Sequence, residues 1–374
     1  MTLIFTLLII ASVLALGVAI YQQLQGSQQQ IINRTNNIEK TLDALPDNPH
    51  IGRKKLPSLT AENIAIPRYR NFITTFGSAV IGQEKLAIYL LIGFLTNQHL
   101  LIEGVPGLAK TRSITVCGKL IGGKKQGLKT QRIQCTPDMM PSDIIGAEIF
   151  DRKTNEFVIK RGPLTQANLV LIDEINRTTP KVQSALLEAM QERQITIAGT
   201  TKRLPSPFLV FATQNPLDQA GTYPLPEAQR DRFLAQLLIT YPTFADEIAV
   251  LDVTDSLETI QPLISLDDID HDREAIARIH IPDEIKTYIV SIVHATRNHE
   301  ALDCGASPRA SRALLQTAQT ICYLRGGHEV LQEDVVCCAL DILRHRVIWH
   351  DYRLSQDQKE KILTDIISSV SLIV

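Results

Sequence analysis

The chain is poor in the residue types that mark several common protein classes. Of its 374 residues, 5% are aromatic, one is tryptophan and six are cysteine, and the formal net charge is −2. A near-neutral chain without a basic, aromatic-rich stripe does not resemble a dedicated nucleic-acid binder, so we expect no nucleic-acid partner. The cysteines form no Cys-x-x-Cys pair and show no metal-binding spacing, which argues against a disulfide framework and fits a reducing compartment.

One long uncharged run stands at the start of the chain. Residues 3–21 carry no charge and almost no polar group, and their length is close to the minimum for crossing a bilayer as a helix. Because Lys and Arg follow this run but do not precede it, we expect residues 1–21 to be a single-pass anchor in the inner (cytoplasmic) membrane, with the bulk of the chain in the cytoplasm. A cleaved signal peptide is the main alternative, although its usual positive start is missing. A soluble buried helix is the other.

A polar, then proline-rich segment follows at residues 22–60. Leu24, Ile31, Ile38 and Leu45 recur every seven residues, which is typical of a short self-associating coiled stalk. A frayed, solvated helix explains the same spacing equally well. Prolines then end any helix, so the segment is a stalk or a linker.

Beyond this segment, strand and helix patterns alternate, which predicts an α/β fold with a parallel sheet covered on both faces. Helices are expected near 83–95, 110–121 and 180–192. We predict strands near 99–103, 131–135, 168–172, 208–213 and 235–239.

The first of these strands runs into a glycine-rich loop and a helix start. Such a loop turns backbone N–H groups toward phosphates, while its lysine reaches the β- and γ-phosphate oxygens and its threonine hydroxyl holds Mg²⁺. Ala109 stands where the general pattern has glycine, and since alanine restricts positive φ we expect a loop conformation that an L-residue tolerates. The alternative is a plain strand–turn–helix in which Lys110 begins a helix. The loop residues are Gly104, Val105, Pro106, Gly107, Leu108, Ala109, Lys110 and Thr111.

Two carboxylates follow the third predicted strand. Asp173 suits a Mg²⁺ shell and Glu174 suits the activation of a water molecule for attack on a phosphate. The loop and this pair, in this order, predict that the chain binds and hydrolyses ATP. Asn215 follows the fourth strand, and since parallel strands end at one crevice we expect it to orient the attacking water. An ordinary turn before Pro216 is the alternative.

Other candidate residues lie outside these motifs. Ile81 and Gly82 precede a helix and could offer backbone atoms to an adenine edge, or simply form that helix start. Arg230 and Arg232 are candidates to stabilise phosphoryl-transfer charge in a neighbouring subunit, with surface ion pairs as the alternative. Arg309 is the candidate to reach the phosphates within its own chain.

These motifs resemble those of the MoxR-type ATPases of the AAA+ superfamily, over roughly residues 60–374. The matching segments are GVPGLAKT (104–111), RIQCTPD (132–138), PSD (141–143), DEINR (173–177), ATQNP (212–216), GTYPLPEAQRDRF (221–233) and GASPR (305–309).

The resemblance implies a five-stranded αβα P-loop NTPase (AAA+) core over 61–243 and an all-α lid domain over 244–374, assembled as a ring, usually a hexamer. It implies that Asn215 is the first sensor, Arg232 the arginine finger and Arg309 the second sensor. The implied cofactors are ATP and Mg²⁺.

The resemblance also suggests a client protein with a von Willebrand A domain, and hairpins at 148–161 and 194–200 that face the ring's pore and that client. The expected function is thus ATP-driven remodelling, assembly or activation of partner complexes at a membrane, although a membrane-spanning start is not typical of the family. The alternatives are a chelatase-type motor subunit, an ATP-gated scaffold that does not hydrolyse, and a nucleic-acid motor.

Overall fold

A computed structural model describes residues 56–104, 109–122, 128–215, 222–251 and 257–372 of the chain. They belong to one compact unit, Leu56–Val374. The predicted anchor at 1–21, the stalk up to residue 55 and the loop residues 105–108 lie outside the described residues. None of the helices in the described ranges is long and apolar enough to cross a bilayer.

Helices and strands alternate along the first two thirds of this unit, and helices dominate the last third. The strands are β1 (Leu100–Gly104), β2 (Thr130–Gln134), β3 (Gly146–Asp151), β4 (Glu156–Arg161), β5 (Leu169–Asp173), β6 (Gln194–Ile197), β7 (Thr200–Arg203), β8 (Leu209–Gln214), β9 (Ala235–Ile239), β10 (Leu302–Cys304) and β11 (Ile348–Trp349). The helices are α1 (Pro67–Ala79), α2 (Glu84–Thr96), α3 (Lys110–Leu120), α4 (Pro141–Ile145), α5 (Pro180–Glu192), α6 (Glu227–Arg230), α7 (Phe244–Leu251), α8 (Leu266–Ala277), α9 (Asp283–Arg297), α10 (Pro308–Leu324), α11 (Gln332–Leu343) and α12 (Gln356–Ser369).

Five parallel strands form the central sheet in the order β2-β5-β8-β1-β9. The first four residues of β5 are fully buried apolar side chains, as expected for a strand that is covered on both faces. The five predicted strands are confirmed to within one residue at each end. Because all five run the same way, their carboxyl ends meet at one edge of the sheet, which we call the carboxyl edge; the other is the amino edge.

Helices cover both faces of the sheet and enclose two apolar cores. On one face α2 is buried over Leu86–Leu95, because it packs between the sheet and the helices that follow α7. On the other face α5 packs its buried side chains, including Leu186 and Leu187, against Val170 and Val210 of the central strands. Two antiparallel hairpins, β3–β4 and β6–β7, extend beyond the sheet and confirm the two predicted hairpins.

The last helices, α8 to α12, form a lid that is fastened to the core at β9 and α2. Arg346 donates to the carbonyl of Leu234 at 2.9 Å, and His345 lies 3.1 Å from the carbonyl of Phe233. At the second point, Lys85 and Tyr89 of α2 each donate to Asp341 of α11 at 2.8 Å. The lid therefore has a defined position against the core.

Candidate functional site

Helix α3 begins at Lys110, directly after an alanine in a left-handed conformation. Ala109 has φ 52° and ψ 24°, so this alanine does take a positive φ, close to the small left-handed region that an L-residue can occupy. Its carbonyl accepts from both the backbone N–H of Ser113 at 2.8 Å and the Ser113 hydroxyl at 2.9 Å, which holds the conformation. An L-residue in this region costs roughly 1 kcal/mol, so the helix start stores a small strain where the loop meets it.

Gly104 ends β1 where the neighbouring strand passes very close. A Cβ at this position would lie 2.7 Å from the carbonyl oxygen of Ile239 on β9, so only glycine fits. The Gly104 carbonyl accepts from Nζ of Lys110 at 2.9 Å. The lysine of the phosphate loop is thus folded back over the carboxyl end of β1.

Lys110 also lies within electrostatic reach of both predicted carboxylates. Partial burial lowers the pKa of Lys110, while Asp173 and Glu174 act in the opposite direction and favour its charged form. The structure therefore brings the lysine and the carboxylate pair together at the carboxyl edge, as the order of the motifs predicts.

Asp173 is fixed between the two strands that flank β5. Its Oδ1 accepts from the hydroxyl of Thr213 on β8 at 2.8 Å, and its Oδ2 is paired with Arg132 of β2 at 2.7 Å. The Thr213 hydroxyl also accepts from the backbone N–H of Glu174 at 2.9 Å. This buried threonine therefore sets the positions of both acidic residues.

Glu174 is held by two donors. Its Oε2 accepts from the amide of Gln134 at 3.1 Å and is paired with Nε of Arg177 at 3.2 Å. The residue has φ 59°, which turns the chain sharply at the end of the strand. The two contacts fix the Glu174 carboxylate at the site, and the Arg177 guanidinium compensates its negative charge.

Four residues of this site were missed from the sequence: Arg132, Gln134, Thr213 and Arg177. Gln134 lies opposite Asp173 in the register of β2 and β5, and Thr213 is the residue before the end of β8. Gln134 and Thr213 could have been found by looking for polar side chains at the carboxyl ends of the parallel strands, because these ends meet at one edge of the sheet.

Asn215 follows β8 at the same edge and is buried to 8% exposure. Its backbone carbonyl accepts from Nδ2 of Asn176 at 3.4 Å, which ties it to the turn after Glu174. Ile81 and Gly82 form the turn before α2, and Gly82 lies against Pro242 and Asp246 near the start of α7. The sensor role of Asn215 and the adenine role of this turn stay predictions.

Thr111 lies exposed in the first turn of α3, next to Lys110. Its hydroxyl and the Asp173 carboxylate are hard oxygen donors of the kind that Mg²⁺ prefers, and Asp173 already attracts a cation, the guanidinium of Arg132. The donor set therefore fits a magnesium nucleotide.

Arg232 and Arg309, the two arginines expected to contact phosphates, do not lie at the carboxyl edge. Arg232 precedes β9, and the N–H of Leu234 donates to the carbonyl of His99, the residue before β1, at 2.7 Å. Arg232 therefore lies at the amino edge, whereas Lys110 follows the carboxyl end of β1. The five residues of β1 separate the two edges by roughly 13 Å.

Arg309 lies at the amino edge too. Its guanidinium is 3.7 Å from Oδ2 of Asp231, and Ser307 at the start of α10 donates to the same oxygen at 2.8 Å. Arg309 and Arg232 line one cavity of about 350 Å³. The expectation that Arg309 reaches the phosphates of its own chain is therefore wrong for this structure, because these contacts keep the start of α10 at the opposite edge.

Arg230 is separated from Arg232. It lines a second cavity of about 280 Å³, together with Glu103 of β1 and Lys359 of the lid. Burial raises the pKa of Glu103, against the effect of the Arg344, Lys359 and Arg230 charges. The two arginines of the 230–232 segment thus face different surroundings, and Arg232 is the one that accompanies Arg309.

Comparison with known proteins agrees with the fold and the site. Residues 99–235 match the ATPase family associated with various cellular activities (AAA), and residues 294–366 match the AAA lid domain. Chaperone MoxR1 of Mycobacterium tuberculosis is 40% identical over 306 residues, which are 78% of this chain and 79% of that protein. The uncharacterized protein YeaC of Bacillus subtilis is 42% identical over 297 residues, covering 78% of this chain and 91% of YeaC.

A solved structure shares the architecture. The crystal structure of a candidate ATPase from Cytophaga hutchinsonii superposes with a TM-score of 0.74 at 39% identity, covering 82% of this chain and 96% of that one. With identities of this size over most of both chains, the chain belongs to the MoxR-type family of AAA+ ATPases, enzymes that bind and hydrolyse ATP.

Proposed function

We propose that this chain is a chaperone-like AAA+ motor that uses ATP hydrolysis to remodel, assemble or activate partner protein complexes. The observation that carries the proposal is the division of the site between two edges of one sheet. Lys110, Asp173 and Glu174 lie at the carboxyl edge, whereas Arg232 and Arg309 lie at the amino edge. One chain would therefore contribute the nucleotide-binding residues of one hydrolytic site and the arginines of another.

At the carboxyl edge the residues bind and orient the nucleotide. The loop 104–111 would contact the phosphates, with Lys110 leaving the Gly104 carbonyl for the β- and γ-phosphate oxygens. Glu174 would accept a proton from the attacking water once Gln134 and Arg177 release it, and Asn215 would orient that water. Thr111 and Asp173 would hold Mg²⁺, which supplies charge neutralisation when bound.

At the amino edge the arginines would complete the site of the next subunit. A guanidinium that contacts the γ-phosphate stabilises the charge that develops in phosphoryl transfer. Because neither Arg232 nor Arg309 lies at its own carboxyl edge, a neighbouring chain in a closed ring, which we propose is a hexamer, is the simplest partner. Hydrolysis would then depend on how the subunits are arranged.

The β3–β4 hairpin is our proposed contact to the client. Phe150 and Phe157 pack edge to face at 5.3 Å between ring centroids, yet they are 50% and 68% exposed. An aromatic pair at the tip of a protruding hairpin is a typical protein-binding feature. The name of the relative MoxR1 supports a chaperone-like role, and a client with a von Willebrand A domain is our proposal from the family resemblance.

We also propose that residues 1–21 anchor the ring in the inner membrane, with the catalytic domain in the cytoplasm. This proposal rests on the uncharged run at residues 3–21 and on the Lys and Arg residues that follow it. Carbonate extraction of membranes tests it. The anchored chain stays in the pellet, and recovery of the chain in the soluble fraction would contradict the anchor.

The hydrolytic mechanism is tested by comparing phosphate release by the wild type and by Glu174→Gln. We expect the variant to bind ATP but to lose most of its turnover, because an amide cannot accept the proton of water. Unchanged phosphate release in Glu174→Gln would overturn this assignment. Loss of turnover together with retained ATP binding would support it and argue against a scaffold that is only gated by ATP.

A further inference from the structure

The cavity at the amino edge holds a third arginine that the motifs do not assign. Arg312 lies three residues after Arg309 on α10, so the two side chains share one helix face. Both line the cavity of about 350 Å³ that also contains Arg232. Five guanidinium groups therefore line one recess, since Arg193, which donates to Asn97, and Arg346, which is paired with Asp231, belong to it as well.

The positive charge of this cavity is not balanced by the protein. Among the described residues that line it, Asp231 alone carries a carboxylate. Both oxygens of Asp231 are already used, Oδ1 by Arg346 at 2.9 Å and Oδ2 by Ser307 at 2.8 Å, with Arg309 at 3.7 Å. The acid therefore serves to position the start of α10 and cannot neutralise the remaining arginines.

Two of the arginines lack a partner in the described part of the chain. Nε of Arg232 is buried without an acceptor, and Arg312 has neither a hydrogen bond nor an ion pair there. His99, which also lines the cavity, adds no opposite charge, because burial lowers its pKa to about 3 and leaves the ring neutral. A recess with surplus guanidinium groups is built for a multiply charged anion, since such groups bind phosphate oxygens in pairs of parallel hydrogen bonds.

We propose that Arg312 is a further phosphate-contacting residue, which together with Arg232 and Arg309 binds the triphosphate of the nucleotide held by the neighbouring subunit. This inference rests on the proposed function, because it needs a ring in which the amino edge of one chain faces the carboxyl edge of the next. Arg312 extends the pair of arginines by one helical turn and would contact a second phosphate group.

The first test is steady-state ATP hydrolysis by the full chain, purified in detergent, as wild type, Arg312→Ala, Arg312→Lys and Arg278→Ala. We expect kcat of Arg312→Ala to fall roughly 10- to 100-fold, because a hydrogen bond between charged groups is lost. Arg312→Lys keeps the positive charge and should recover part of this loss. Arg278 is the matched control, because it is an exposed lid arginine that does not line the cavity. A kcat of Arg312→Ala equal to that of Arg278→Ala would overturn the inference.

The second test asks on which subunit Arg312 acts. In rings co-expressed from Arg312→Ala and Glu174→Gln chains, an Arg312→Ala chain keeps its own Glu174 and receives the arginine of its Glu174→Gln neighbour. We therefore expect mixed rings to regain turnover that neither variant shows alone. Absence of any gain would overturn the contact between subunits.

The two proposals fail in different ways. If wild-type chains do not hydrolyse ATP or do not assemble, the proposed function fails before Arg312 is considered. If wild type hydrolyses and assembles while Arg312→Ala is as active as the wild type, only the inference on Arg312 fails. Equal midpoints of thermal unfolding for Arg312→Ala and Arg278→Ala are expected; a drop confined to Arg312→Ala would point to a structural role instead and contradict the inference.

Discussion

Two donors occupy the carboxylate of Glu174, the residue that we propose as the base for the attacking water. Gln134 donates to it at 3.1 Å and Arg177 is paired with it at 3.2 Å. Both contacts fall on Oε2, so they hold the carboxylate in a place set by the protein and occupy an oxygen that the attacking water would use. The resting enzyme is therefore restrained by its own side chains.

Removal of one restraint should raise basal turnover. We predict that Gln134→Ala increases kcat for ATP about 3- to 10-fold in the absence of any partner, because one hydrogen bond to a charged group is lost. The measurement is steady-state phosphate release. Gln131→Ala is the matched control, since Gln131 lies on the same strand and is exposed. Turnover of Gln134→Ala at or below that of Gln131→Ala would contradict the prediction.

Thr213, unlike Gln134, is expected to stabilise the fold. Its hydroxyl donates to the Asp173 carboxylate and accepts from the backbone N–H of Glu174. We predict that Thr213→Val lowers the free energy of unfolding by about 1–3 kcal/mol, because the N–H of Glu174 is left without its partner in a buried place. Chemical denaturation measures the change. Thr213→Ser keeps the hydroxyl and should retain most of the stability, so a loss in Thr213→Ser as large as that in Thr213→Val would show that the methyl group contributes as much as the hydroxyl and would contradict the prediction.

At the scale of helices and strands, the sequence alone was a good guide wherever a run of apolar residues had a clear end. The strand over 169–173 is bounded by polar residues, and α5 occupies 180–192 as predicted. The meeting of Lys110 with Asp173 and Glu174 was predictable too, because parallel strands deliver their following residues to one edge.

The position of Arg309 could not be predicted from local sequence patterns. Its position depends on Ser307 and Asp231, which are 76 residues apart, and on how the lid docks against β9. Local patterns contain no information on that contact. The same limit applies to Ala109, whose left-handed conformation accompanies the two contacts of its carbonyl with Ser113.

The connection between core and lid can be tested through Asp341 of α11. This buried carboxylate accepts from Lys85 and Tyr89 at 2.8 Å and from Arg344 at 3.0 Å. We predict that Asp341→Ala lowers the free energy of unfolding by about 3–5 kcal/mol, because the buried Arg344 guanidinium keeps only Glu360 and the buried Tyr89 hydroxyl loses its acceptor. Thermal or urea unfolding measures this loss.

The control for this prediction is an exposed pair of the same chemistry. Asp283 lies 2.7 Å from Lys286, but its side chain is 91% exposed. Asp283→Ala should leave the free energy of unfolding nearly unchanged, as is usual for surface pairs. A loss for Asp341→Ala no larger than that of Asp283→Ala would mean that the lid is fastened to the core by other contacts.

At the scale of the whole molecule, the division of the site between two edges would make ATP hydrolysis a property of the proposed ring. The loop lysine and the carboxylates follow the carboxyl ends of the strands, whereas the arginines of the same chain lie at the amino edge, and the five residues of β1 span roughly 13 Å between the two edges. A single chain therefore lacks the guanidinium groups that would face its own γ-phosphate, and turnover per chain should rise with protein concentration until rings are complete.

Arg232, the proposed arginine finger, gives the sharpest test of this proposal. We predict that Arg232→Ala loses at least about 1,000-fold in kcat, the usual effect of removing such a finger, while its affinity for ATP changes little, because the binding loop belongs to the same chain and the arginine to the next. Phosphate release measures kcat, and equilibrium titration with ATP measures binding. Arg230→Ala is the matched control, since Arg230 lies two residues away and lines a different cavity. Full-rate hydrolysis by wild-type monomers at high dilution, or equal losses for Arg230→Ala and Arg232→Ala, would show that Arg232 has no such role in the neighbouring site.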